Sequence, residues 1–106
     1  MAKYLFEVKY TLQGLQGLLA EGGSNRLVAA TAAADGLGGE VESLYFAFGG
    51  PDIYAIIDMP DAETMAAYAM RITAAGGVTA TTVPLLTATQ VDAAVAKHVG
   101  YRPPGG

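Results

Sequence analysis

A chain of 106 residues with 52% hydrophobic residues, 15% charged residues and a net charge of −4 fits one compact domain. Its acidic balance and six scattered basic residues argue against sequence-independent nucleic-acid binding, and no apolar run approaches membrane-span length. Without cysteine there are no disulfides, thiolate nucleophiles or cysteine-based metal sites, so a soluble cytoplasmic protein is the expectation.

KYLFEVKY, residues 3–10, alternates: Tyr4, Phe6, Val8 and Tyr10 point one way, and Leu5, Glu7 and Lys9 the other. That period of two marks a strand with one strongly buried face. TLQGLQGLLAEGG carries Leu12, Leu15, Leu18 and Leu19 at helical spacing, but Gly14 and Gly17 weaken it to a short helical turn. Ser24 reads as an N-cap for a stretch whose stripe is Leu27, Ala30, Thr31 and Ala34. Gly36 suits the stop, as a left-handed glycine with Leu37 packing back. EVESLYFAF, residues 40–48, is a second strand, with Leu44, Phe46 and Phe48 on its apolar face and Val41, Ser43, Tyr45 and Ala47 on a mixed one.

DIYAIIDM, residues 52–59, is the third strand, with Ile53, Ala55, Ile57 and Met59 opposite Tyr54, Ile56 and Asp58. Gly49-Gly50-Pro51-Asp52 joins these two, and proline presets φ for the second position of a type I turn. Asp61 caps the next helix and Glu63 meets the positive end of its dipole; Ala62, Met65, Ala66, Ala69 and Ile72 form the buried stripe. VTATTVPLL, residues 78–86, is a β-branched fourth strand that Pro84 marks as an edge. TATQVDAAVAKH closes as a short helix, with Thr89 and Asp92 spaced like a capping box. The division is a domain over 1–98 and an extended tail over 99–106.

The order β-α-β-β-α-β plus a C-terminal helix is an α+β, ferredoxin-like pattern. Its helices cover one face of a four-stranded antiparallel sheet. The other face carries Leu5, Glu7, Lys9, Tyr45, Ala47, Tyr54, Ile56, Asp58, Thr79, Thr81 and Val83. That face is too apolar to leave exposed and too polar for an ordinary core. Two copies packed through it give a dimeric α/β barrel, so a homodimer or higher homo-oligomer is expected.

KYLFEVKYT, LLAEGG with Arg26 after it, LGGEVESLYFAFG running into DIYAIIDMPD, LLTATQVD and VGYRPPG together resemble the GYD domain family of small, mostly bacterial proteins. The resemblance spans nearly the whole chain and is most specific from Leu37 to Asp61. It implies a ferredoxin-like, dimeric α/β-barrel fold and carries over no reaction. One departure stands out. Where the family motif has a tyrosine before the aspartate, this chain has Pro51 before Asp52, which removes a phenol and a backbone N–H while leaving a turn role intact.

Glu7, Lys9, Tyr45, Tyr54 and Asp58 are the candidate ligand-binding residues, because buried phenol, carboxylate and ammonium groups can tune one another and orient a small molecule. The competing assignment is an interfacial hydrogen-bond network in which Lys9 pairs with Glu7 or Asp58. His98, the sole histidine, suits a helix C-terminus better than a metal site, which needs several convergent ligands. Ser24-Asn25-Arg26 can cap a helix or hold an anion. The glycine pairs match no phosphate-loop fingerprint, and nothing in the spacing of Ser43, Asp58 and His98 favours a triad. No metal or cofactor is implied. Two functions follow: an oligomeric small-molecule-binding or accessory protein without its own reaction, or a cofactor-independent oxygenase or isomerase acting on a small aromatic or ketone. In the second, Tyr45, Tyr54 and Asp58 are the acid–base groups.

Overall fold

The computed structural model describes residues 1–106. Its strands are β1 (Ala2–Tyr10), β2 (Glu40–Phe46), β3 (Ile53–Met59) and β4 (Val78–Leu85); its helices are α1 (Leu12–Glu21), α2 (Gly23–Asp35), α3 (Ala62–Ala74) and α4 (Ala88–Val95). All strand pairs are antiparallel, in the order β2-β3-β1-β4, which is the ferredoxin-like arrangement with the first crossover helix split in two. Pro84 does lie on an edge strand, where its missing N–H costs the sheet least.

The core follows the pleat. Tyr4, Phe6 and Val8 of β1 and Ile53, Ala55, Ile57 and Met59 of β3 turn one way and are buried against Ala34 of α2 and Met65 and Tyr68 of α3. The rings of Phe6 and Tyr68 meet at a centroid distance of 5.8 Å, tilted by 56°. Tyr68 also donates its hydroxyl hydrogen to the Ala30 carbonyl at 3.0 Å, tying α3 to α2. No helix is long and apolar enough to cross a membrane.

Tertiary contacts override several local expectations. The α1 segment is a full ten-residue helix, not a short turn. Thr11 caps it by accepting from the Gly14 N–H at 3.2 Å, and the Thr11 N–H and hydroxyl donate to the Gly77 and Gly76 carbonyls at 3.0 and 2.9 Å. A Cβ on Gly14 would overlap the Gly77 carbonyl oxygen, so the glycine that lowers helix propensity is what lets α1 lie on the α3–β4 loop. Ser24 sits inside the first turn of α2, whose N-cap is Gly22 at φ 87°. Gly36 is right-handed; the left-handed residue is Gly38, and the Gly39 N–H returns to the Ala34 carbonyl at 3.0 Å. The capping box of α4 is Thr87 with Gln90, not Thr89 with Asp92.

The parity of β2 also departs from strict alternation. A register shift between Val41 and Ser43 pairs Val41 with Ile57 and Leu44 with Ala55, so both pack on the core although three residues apart. The strand ends at Phe46, which leaves Phe48 fully exposed in the connection to β3. That connection is no tight type I turn. It is a wider loop over 47–52, closed by the Ala47 N–H on the Asp52 carbonyl at 2.8 Å. Asp52 then fastens the loop to β1: its N–H donates to Val8 O at 2.7 Å and its carboxylate accepts from the Tyr10 N–H at 2.8 Å. Pro51 therefore occupies a place whose hydrogen bonding is carried by its neighbour.

Beyond Leu85 every residue is exposed, α4 and the tail included. The radius of gyration is 16.9 Å, against about 13 Å for a compact domain of this length. Residues 86–106 form this exposed C-terminal arm.

Candidate functional site

Strand register divides the outer face of the sheet into rows. One row runs Glu40–Asp58–Lys3–Leu85, the next Ser43–Ile56–Leu5–Val83, and the third Tyr45–Tyr54–Glu7–Thr81; Lys9 and Thr79 begin a fourth. Ions, aliphatics and aromatics are thus layered along the strands.

The first row holds the strongest electrostatics. Lys3 Nζ donates to both Asp58 oxygens at 3.0 and 3.1 Å and to Glu42 Oε2 at 2.7 Å. Hydrogen bonds to Glu42 first, then Asp58, hold the Lys3 ammonium above its ordinary value. Asp58 is only 8% exposed, so the lysine compensates a carboxylate largely withdrawn from water. Neither Lys3 nor Glu42 is among the five residues singled out from the sequence. Parity does place Lys3 with Leu5 and Glu7. Glu42 was hidden by the β2 bulge, which lets its side chain reach the outer face.

The five candidates separate into three groups. Glu7, Tyr45 and Tyr54 share the aromatic row, and Tyr45 is 73% exposed. Asp58 lies four residues along β3 from Tyr54, about 13 Å between Cα atoms at strand spacing. Lys9 pairs with neither Glu7 nor Asp58; it donates to the Gly50 carbonyl at 3.2 Å and lies 3.5 Å from the Asp52 carboxylate. His98 belongs to the exposed arm, outside the sheet that carries these rows.

A family model described as the GYD domain matches residues 4–95. The chain belongs to the GYD domain family. The match covers every strand except the first residues of β1 and takes in α4, so the family's unit includes the helical part of the arm and ends before the tail. No curated protein and no solved structure matches the chain. Within the GYD unit, Asp52 performs the bonding that joins the loop with Pro51 to β1.

Proposed function

We propose that this GYD protein is a homodimeric binding protein without a reaction of its own, joined through the outer faces of two sheets. The uncovered aliphatic and aromatic rows carry the proposal. Ile56, Leu5 and Val83 lie beside Tyr45 and Tyr54, with the core-forming helices α2 and α3 on the other side. One copy buries only 11 of its 106 residues, although half of them are hydrophobic. Stacked sheets pack about 10 Å apart, close enough for such side chains to interdigitate. A second copy is the fitting partner, because a two-fold axis brings like rows together and the charges at both ends are already paired within each chain. Tyr45 and Tyr54 are then central anchors, and Glu7, Lys9 and Asp58 the polar surroundings.

The oxygenase or isomerase alternative has weaker support. Asp58 is engaged by Lys3, and its distance along the strand from Tyr54 exceeds direct proton-transfer reach. Light scattering at micromolar concentration tests the proposal. The wild-type chain is expected at twice its 10.8 kDa mass, and Ile56→Glu at the single mass with an unchanged circular dichroism spectrum. A monomeric wild type, or an Ile56→Glu chain that stays dimeric, would defeat it.

A further inference from the structure

The helical side of the sheet, away from the dimer contact, is not closed. A cleft of about 410 Å³ opens between α1, α2, α3 and the start of β4, with Gln13, Glu21, Arg26 and Arg71 at its mouth. Tyr10, Arg26, Ile72 and Val78 line both this cleft and a deeper chamber of about 180 Å³, so the two are contiguous. Phe6, Val8, Ala30 and Tyr68 wall the chamber, and Arg26 is the one charged group on it. A polar mouth leading into an apolar interior, with a few fixed polar groups between, is the usual make-up of a small-molecule site.

Tyr10 is shared by the cleft and the chamber, and its side chain ends in a hydroxyl. That hydroxyl is buried and no protein group hydrogen-bonds to it, a rare condition for a buried polar atom. Burial raises the Tyr10 phenol above its ordinary value, and the charge and polar side chain of the nearby Arg26 oppose that rise. The phenol is therefore a neutral donor at pH 7. Arg26 is only loosely engaged, 3.5 Å from Glu21, and Arg71 has no acidic partner. Two guanidinium groups against one carboxylate leave an excess of one positive charge at the mouth.

We propose that this cleft binds a small amphipathic carboxylate, its head between the Tyr10 hydroxyl and Arg26 with Arg71 outside, and its short aliphatic or aromatic body in the chamber. The excess of one positive charge matches a monoanion, and Glu21 opposes a dianion such as phosphate. The site rests on the assignment of the chain as a binding protein, but not on the dimer, because it uses the opposite face of the sheet.

Calorimetric titration of the full chain with sodium octanoate, below its micelle concentration, tests the site. Octan-1-ol, with the tail and no charge, and acetate, with the head and no tail, serve as comparisons. Octanoate is expected to bind at least about tenfold more tightly than either, since a charge-assisted pair and the apolar chamber act together. Tyr10→Phe and Arg26→Gln should each weaken octanoate several-fold while leaving octan-1-ol unchanged, and Ile56→Glu should bind octanoate as the wild type does. Amide shifts on titration should gather at Tyr10, Ala30 and Tyr68 and spare Tyr54. Absence of octanoate binding, equal binding of the alcohol, or indifference to both Tyr10→Phe and Arg26→Gln would overturn the site. Light scattering on the same samples keeps the two proposals apart: a monomer that binds octanoate removes the dimer and leaves the cleft, and a dimer that ignores octanoate does the reverse.

Discussion

The two faces of one sheet have opposite fates in this molecule. Along β3, Ile57 on the inner face is 1% exposed, whereas Tyr54 on the outer face is 39% exposed. Both faces are rich in apolar side chains, so composition does not separate them. What separates them is cover from within the chain: α2 and α3 pack on the inner face, whereas Tyr45 and Tyr54 of the outer rows stay exposed. An alternating strand thus states which residues share a face, but not whether that face is closed by its own polypeptide.

Neighbouring isoleucines offer the sharpest way to break this comparison. Ile57→Ala removes a buried side chain from the middle of the core and is expected to cost about 2–5 kcal/mol at any protein concentration. Ile56→Ala, one residue away on the outer face, should lose less, and its loss should grow with concentration if the proposed dimer completes the burial of that half-buried side chain. Urea unfolding at two widely spaced concentrations measures both. Equal, concentration-independent losses would mean that the two faces are closed by the same chain after all.

Much of this division was legible in the residues, and the exceptions share a cause. Tyr4, Phe6 and Val8 in β1 and Ile53, Ala55 and Ile57 in β3 declare their face by alternation alone. In β2 the bulge changes phase at Val41, and a bulge arises from pairing with β3, which local pattern does not contain. The same holds for the ion cluster. Lys3 and Lys9 have equal parity, and only the long-range register Lys3↔Asp58 decides which lysine meets the carboxylate. Gly14 misled because its role is contact with Gly77, 63 residues on in the sequence. Tyr68, three residues after Met65 and four before Ile72, was legible by helical spacing, yet the alanines Ala62 and Ala66 stood in the expected stripe and are exposed.

A second test probes how the inner face keeps its polar atom satisfied. Tyr68→Phe preserves the ring against Phe6 and removes the hydrogen bond to Ala30, with an expected loss of about 1 kcal/mol at pH 7. Burial also pushes the Tyr68 phenol up to about 12 from 10.0. The unfolded chain therefore releases this proton first, and stability that is full below pH 10 should decline as the pH rises towards about 12. Thermal melts across that window should show a shallower alkaline decline for Tyr68→Phe than for the wild type. An unchanged slope would place the hydroxyl in water and weaken the contrast between the faces.

The smallest effect belongs to the outer ion row. Glu42→Gln removes the stronger of the two influences that raise the Lys3 ammonium, while Asp58 remains to pair with it. Because the folded value of Lys3 lies above 10.5, its contribution is fully present below pH 10.5 and is lost as the pH rises through the folded value. The variant should bring that loss to lower pH and cost little at pH 7, since Glu42 is about half exposed. What distinguishes it from the core variants is salt. At 1 M ionic strength, where the Debye length falls to about 3 Å, the difference between Glu42→Gln and the wild type should vanish, while the Ile57→Ala difference persists. A Glu42→Gln loss that survives high salt would show that this row is shielded from solvent, as contact with a second sheet requires, and would move the edge of the covered surface outward to include it.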